Sequence, residues 1–84
     1  MIDYSGFRKW LCVTTPYSER TISNIVSRLK RADAILPWFD EDIYLFRLEQ
    51  SDAFVSLNCS VKSQLRKAAK LYYEYNCRKE KEHI

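Results

Sequence analysis

The stretch from Ser60 to Tyr75 constrains the fold of this chain most, because it predicts a long amphipathic helix with a cationic side. Its apolar residues recur at helical spacing and fall in one stripe: Val61, Leu65, Ala68, Tyr72 and Tyr75. A neighbouring face carries four bases: Lys62, Arg66, Lys67 and Lys70. No acid occurs between Ser60 and Tyr73. The Ser60 hydroxyl is suited to cap the helix start. We expect this helix to bury one side and to present another to a negatively charged partner.

A second amphipathic pattern runs from Ser18 to about Leu36. Its apolar stripe comprises Ile22, Ile25, Val26, Leu29, Ala32 and Leu36. Another face is polar and basic, with Arg20, Asn24, Ser27, Arg28 and Arg31. Ser18 is placed to cap this helix, and Pro37 is placed to stop it. The two patterns predict two neighbouring helices that turn their cationic faces the same way.

The rest of the chain is also helical in pattern. Residues 3–13 predict a first helix capped by Asp3 or Ser5, with an apolar face of Phe7, Trp10 and Leu11. Residues 41–57 predict one helix or two, preceded by an acidic cap of Asp40, Glu41 and Asp42. We expect Trp38 and Phe39 to pack across the connection that leads into this region.

These elements predict one all-α domain at residues 1–76, a bundle of four or five helices built as two crossed helical hairpins. Residues 77–84 are polar and predict a tail or the start of a linker. The net charge of +3 is unevenly spread. Six acids and one base occur between Asp33 and Asp52, whereas four bases and no acid occur between Ala53 and Tyr73. The carboxylates are therefore expected to lie away from the cationic faces, which suits docking to a polyanion on one side.

Cysteine usage and hydropathy favour a reduced, cytoplasmic protein. The three cysteines are widely spaced and form no Cys-x-x-Cys pair, and Cys12 and Cys59 are interpreted as small buried hydrophobes. No apolar run approaches the roughly 20 residues of a membrane span, so no membrane partner is expected. The spacing of Cys77 and His83 matches no metal site, and no cofactor or metal is predicted.

The order of motifs resembles the SAM-like core-binding domain of tyrosine recombinases, the phage integrase family. The resemblance rests on the aromatic first helix, on residues 17–22 (Tyr-Ser-Glu-Arg-Thr-Ile), and on residues 58–75, which run from Asn-Cys-Ser-Val to Leu-Tyr-Tyr-Glu-Tyr. It covers residues 3–76 and depends mostly on hydrophobic spacing. In that family this domain clamps one side of a DNA duplex through its second and fourth helices.

The resemblance implies double-stranded DNA as partner and a DNA-facing set of eleven residues: Arg20, Thr21, Asn24, Ser27, Arg28, Arg31, Lys62, Ser63, Arg66, Lys67 and Lys70. It also implies a C-terminal catalytic domain or neighbouring protomers as further partners. The family's Arg-His-x-x-Arg motif and its nucleophilic Tyr setting do not occur in this sequence, so no catalytic residue and no enzymatic activity are predicted for it.

Three alternatives remain open at this stage. The cationic faces would be ordinary solvated helix surfaces if the chain bound no polyanion. The chain would be a protein-interaction or oligomerisation module if the acidic region met the basic helix of a neighbour. It would serve another DNA-processing enzyme if the resemblance extended only to the SAM-like fold.

Overall fold

The computed structural model describes residues 2–39, 41 and 43–82, with side chains as far as Arg78. Over these residues the chain forms helices and no strand. The helices are α1 (Tyr4–Thr14), α2 (Glu19–Ile35), α3 (Tyr44–Gln50), α4 (Asp52–Val55) and α5 (Cys59–Glu82). The all-α prediction is therefore confirmed.

The caps of the first two helices are the predicted ones. The Asp3 carboxylate accepts a hydrogen bond from the Gly6 amide at 3.0 Å, and the Ser18 hydroxyl accepts one from the Thr21 amide at 3.2 Å. Each bond satisfies a backbone donor that the first turn of a helix leaves unpaired. α2 ends at Ile35, one residue before the predicted end, because Leu36 already has an extended backbone.

The region after Trp38 forms two short helices rather than one. Ser51 has an extended backbone with ψ near 135° and separates α3 from α4. The residue at the N-cap of α3 is Ile43, which makes no side-chain capping bond, and the Glu41 carbonyl accepts a hydrogen bond from the Tyr44 amide at 3.1 Å. Asp40 and Asp42 lie outside the described residues, so the rest of the predicted acidic cap is untested.

The start of α5 corrects one prediction. The helix begins at Cys59, and Asn58 Oδ1 accepts a hydrogen bond from the Val61 amide at 2.9 Å. Asn58 therefore occupies the capping position that we predicted for Ser60, because the helix starts two residues earlier than the apolar stripe suggests. α5 also continues past Asn76 to Glu82. The proposed boundary at residue 76 stays a prediction.

Two buried clusters form the core, and α5 contributes to both. The first cluster joins α1, α2 and α5, with Phe7, Leu11, Ile22, Ile25, Val26, Leu29, Ala68 and Tyr72 among its members. The second joins the end of α2 to α3, α4 and α5 through Ala32, Tyr44, Leu48, Phe54, Leu65 and Ala69. Val61 and Tyr75 are partly buried against these clusters. The predicted stripe of α5 therefore holds the two halves of the molecule together.

Tyr72 marks the point where the two halves meet. Its ring lies edge-on to Phe7 at 5.2 Å and to Trp38 at 4.8 Å between ring centres, and its hydroxyl accepts a hydrogen bond from the Asp3 amide at 2.9 Å. Aromatic pairs of this geometry add roughly 0.5–1.5 kcal/mol each beyond the area that they bury. The last helix is thus fixed against both the first helix and the connection after α2. The predicted packing of Trp38 across this connection is confirmed.

The interpretation of two cysteines was wrong. Cys12 and Cys59 are exposed, and Cys77 is half-buried. Cys12 follows the buried Leu11 on the outer flank of α1, and Cys59 opens α5 ahead of the buried stripe. Their positions on the helices, rather than their apolar character, decide their exposure. Across the described residues, no helix has the length and apolar character that a membrane crossing demands.

Candidate nucleic-acid interface

The outer face of α2 presents cations and hydrogen-bonding groups to solvent. Four of its predicted residues are exposed: Arg20, Asn24, Ser27 and Arg31. They lie opposite the buried stripe, since a helix that buries Ile22, Ile25 and Leu29 turns the intervening positions outward. No acid occurs between Arg20 and Ala32. This outer face is therefore purely cationic and polar.

Thr21 and Arg28 occupy a different position, on the flank of the same helix. Both are half-buried because they lie beside the apolar stripe rather than opposite it. The Thr21 hydroxyl lies 3.1 Å from the Ser18 hydroxyl, where it supports the cap of α2. The structure therefore gives Thr21 a role in helix initiation that sequence analysis did not foresee, beside its predicted place on the DNA-facing side.

A shallow groove on α5 brings together most of the residues predicted there. We call it the basic groove, and it is lined by Ser63, Arg66, Lys67, Lys70, Leu71 and Glu74. Ser63, Lys67 and Lys70 are exposed, whereas Lys62 is half-buried and does not line the groove. Glu74 at the end of the groove forms an ion pair with Arg78 at 3.3 Å. The groove is thus cationic along most of its length and closed by one carboxylate.

Arg66 is a predicted site residue whose side chain also makes contacts within the fold. Its guanidinium forms an ion pair with Glu49 and lies 5.6 Å from the centre of the Phe54 ring. Both partners belong to the α3–α4 region, so Arg66 links α5 to that region. Glu49 also shows that the acid-rich segment reaches the cationic flank, which corrects the expectation that all carboxylates lie away from it.

Lys67 connects α5 with the beginning of α2. Its ammonium lies 5.0 Å from the centre of the Tyr17 ring, and Tyr17 immediately precedes the N-cap Ser18. Tyr17 and Leu71 both pack against the first core cluster. The first turn of α2, which carries Arg20, therefore lies beside the middle of the basic groove. Sequence analysis missed Tyr17 as the residue that joins the two helices.

Arg8 of α1 is a further cation near this surface that sequence analysis did not select. It is exposed, it donates a hydrogen bond to the Ser23 hydroxyl at 3.2 Å, and it lines a cleft with Tyr17 and Glu19. From the sequence, the position of Arg8 directly after the apolar residue Phe7 indicates only that Arg8 lies near the edge of the apolar face of α1. Its proximity to α2 depends on how α1 and α2 pack, which the local pattern does not encode.

A small aromatic pocket opens next to the basic groove. It has a volume of about 240 Å³ and is lined by Trp38, Glu41, Tyr44, Leu45, Ala69, Lys70 and Tyr73. Lys70 lines both the pocket and the groove. Burial, with smaller contributions from Asp33 and Tyr4, raises the pKa of Tyr44 to about 12. The Tyr44 hydroxyl is therefore neutral at ordinary pH, and it donates a hydrogen bond to the Leu36 carbonyl at 2.7 Å.

The described residues contain no group of three or more His, Cys, Asp or Glu side chains that would hold a metal ion. Comparison of the chain with family models, with curated proteins and with solved structures finds no match. The resemblance to the recombinase core-binding domain consequently stays a prediction.

Proposed function

We propose that this chain binds double-stranded DNA through the outer face of α2 and the basic groove of α5. The observation that carries the proposal is the contact between Lys67 and Tyr17, which makes the start of α2 and the middle of α5 neighbours on one surface. Exposed cations lie on both sides of this contact, with Arg20 on α2 and Lys70 on α5. A duplex offers phosphates at regular spacing, which suits such a pair of cationic helix faces.

Most of the affinity would come from phosphate neutralisation. Each Lys or Arg that pairs with a phosphate releases condensed counterions, so binding weakens as salt rises and depends little on DNA sequence. The exposed amide of Asn24 and the hydroxyls of Ser27 and Ser63 add hydrogen bonds that set the orientation of the protein on the backbone. Arg66 would contribute least, because Glu49 already neutralises its charge.

Within this proposal the chain serves as the core-binding module of a site-specific recombinase or integrase. That role follows from the resemblance stated above, and strand cleavage would then belong to a separate catalytic domain. The expected cytoplasmic location is part of the same proposal. A module of another DNA-processing enzyme would have the same DNA-facing surface.

A protein-interaction module is the second candidate, and exposed apolar side chains favour it. Phe46 on α3 is 63% exposed, and Ile43 at the N-cap of α3, three residues before it, is 42% exposed. Large apolar side chains at neighbouring surface positions are a feature of contact surfaces between proteins. A neighbouring protomer would bury them in a recombinase assembly as well, so the two candidates share this feature.

A salt titration with a size measurement separates the candidates. Labelled duplex DNA is titrated with the protein at two salt concentrations, and sedimentation of the protein alone is recorded over a range of concentrations. DNA binding that falls steeply with salt supports the proposal. Absence of DNA binding together with concentration-dependent self-association supports the interaction module instead.

A further inference from the structure

We propose that the aromatic pocket accepts an unpaired nucleobase from DNA that is held in the basic groove. This inference rests on the proposed function and names a preferred substrate, which is duplex DNA with an extrahelical base. The relationship that supports it is the position of Lys70, which lines both the pocket and the groove. A phosphate bound at Lys70 would place its own nucleotide next to the mouth of the pocket.

The walls of the pocket are suited to a flat ring. Trp38 and Tyr73 supply two half-buried aromatic side chains, and Tyr44, which is only 2% exposed, completes the lining with Leu45 and Ala69. Bases stack on such side chains with little dependence on sequence, because every base has a π-face. An aromatic platform beside a cationic track is the arrangement that proteins use for unpaired nucleic acid.

Size and charge narrow the choice of ligand. The volume of about 240 Å³ is below the roughly 300–1,000 Å³ of pockets that hold drug-sized molecules, so one ring system fits and a whole nucleotide does not. The lining has one carboxylate, Glu41, and one ammonium, Lys70, whose charges offset each other. A neutral base therefore fits better than a phosphate, which remains in the groove.

The connection after α2 holds this pocket in shape. The Trp38 amide donates a hydrogen bond to the Asp33 carboxylate at 2.8 Å, and the Trp38 ring packs at 4.5 Å from the Tyr44 ring centre. The Trp38 indole Nε1 is buried and has no hydrogen-bond partner among the described residues. Because this N–H is closed to solvent, a base in the pocket would contact the Trp38 ring and not its N–H.

The experiment compares three duplexes of the same length at one salt concentration. One is fully paired, one has a single unpaired base, and one has an abasic unit at the unpaired position. We expect the duplex with the unpaired base to bind about tenfold more tightly than the abasic one, which is the effect of stacking one base. The Tyr73→Leu variant should lose this preference and keep its affinity for the paired duplex. Phe46→Leu is the matched control, because Phe46 is an exposed aromatic residue that does not line the pocket. Thermal unfolding of each variant verifies that it is folded.

A second measurement does not depend on any pocket variant. The chain has two tryptophans, so its indole N–H groups give two nuclear magnetic resonance signals, which a Trp10→Phe variant assigns. We expect the Trp38 signal to shift with the unpaired base and not with the abasic duplex, while the Trp10 signal stays in place.

Each outcome is decisive. Equal affinity for the three duplexes with an unmoved Trp38 signal would overturn the base pocket and leave the proposed duplex binding intact. Absence of binding to all three would overturn both. A Trp38 signal that moves with protein concentration in the absence of DNA would identify the pocket as a contact between protein chains and overturn the inference.

Discussion

The Lys67 ammonium lies 5.0 Å from the centre of the Tyr17 ring and thereby joins the middle of α5 to the residue before the cap of α2. The attraction between a cation and an aromatic face contributes about 0.5–1 kcal/mol at an exposed site. Because this contact unites the two cationic helices, its removal should affect both stability and DNA binding.

We predict a measurable coupling between these two side chains. Tyr17→Leu and Lys67→Met should each lower the free energy of unfolding, and the double variant should lose less than the two single losses together. The difference should be about 0.5–1 kcal/mol in a double-mutant cycle by urea denaturation. Strict additivity would show that the contact does not form in solution.

A second prediction separates the structural role of Arg66 from the binding role of Lys70. Arg66→Ala should lower the free energy of unfolding by about 1 kcal/mol, because it removes a half-exposed ion pair with Glu49 and a contact with Phe54. Lys70→Ala is the control and should change it by less than about 0.5 kcal/mol, as expected of an exposed side chain.

In DNA binding the order of the same two variants should reverse, with Lys70→Ala the weaker binder. The pairing of Arg66 with Glu49 already reduces the charge that Arg66 can offer to a phosphate. A mobility-shift titration of both variants would contradict this assignment if Arg66→Ala lost the more affinity.

The start of α5 gives a third prediction. Asn58→Ala should lower the free energy of unfolding by about 1 kcal/mol, because it removes the acceptor for the Val61 amide. Ser60→Ala should have little effect, since Ser60 lies inside the helix and is exposed. Thermal denaturation of both variants tests the correction, and a larger loss for Ser60→Ala would restore the original cap assignment.

Local pattern predicted the helices and their buried faces well. The central residues of the α2 and α5 stripes are buried where helical spacing placed them, while Leu36, Val61 and Tyr75 at the stripe ends are half-buried. The caps at Asp3 and Ser18 follow from side chains near their own amides. The cap of α5 was misplaced by two residues because Asn58 and Ser60 both suit that role. Spacing alone does not choose between them.

Packing between helices was less accessible to sequence reasoning. Helical period placed Arg66 on a cationic face, but its pairing with Glu49 depends on how α3 lies against α5. The contact between Lys67 and Tyr17 likewise joins residues 50 positions apart. The aromatic pocket is lined by three separate segments of the chain, and a local sequence pattern does not predict which segments come together.

A fourth prediction concerns Tyr44 at high pH. Burial raises its pKa from 10 to about 12, so the folded state holds the phenolic proton more tightly than the unfolded state. Its contribution to stability is fully present below pH 10 and is lost as pH rises toward 12. This rise of the pKa from 10 to about 12 corresponds to about 2–3 kcal/mol of the free energy of unfolding.

The Tyr44→Phe variant isolates this contribution, because it keeps the ring and removes the titrating hydroxyl. Its free energy of unfolding, measured by urea denaturation between pH 9 and about 12, should fall less steeply with pH than that of the parent. Equal slopes for parent and variant would show that Tyr44 is not responsible for the loss of stability at high pH.

The salt dependence of DNA affinity tests the central claim most directly. The logarithm of the affinity for one duplex is plotted against the logarithm of salt concentration for the parent, for Arg31→Ala on α2 and for Lys67→Ala on α5. Lys9→Ala is the control, because Lys9 is an exposed cation on α1 outside the proposed surface. Each of the first two variants should reduce the slope by about 1, and the double variant by about 2, while the control keeps the parent slope. Parent slopes for both Arg31→Ala and Lys67→Ala would contradict the assignment of α2 and α5 as the DNA-binding surface.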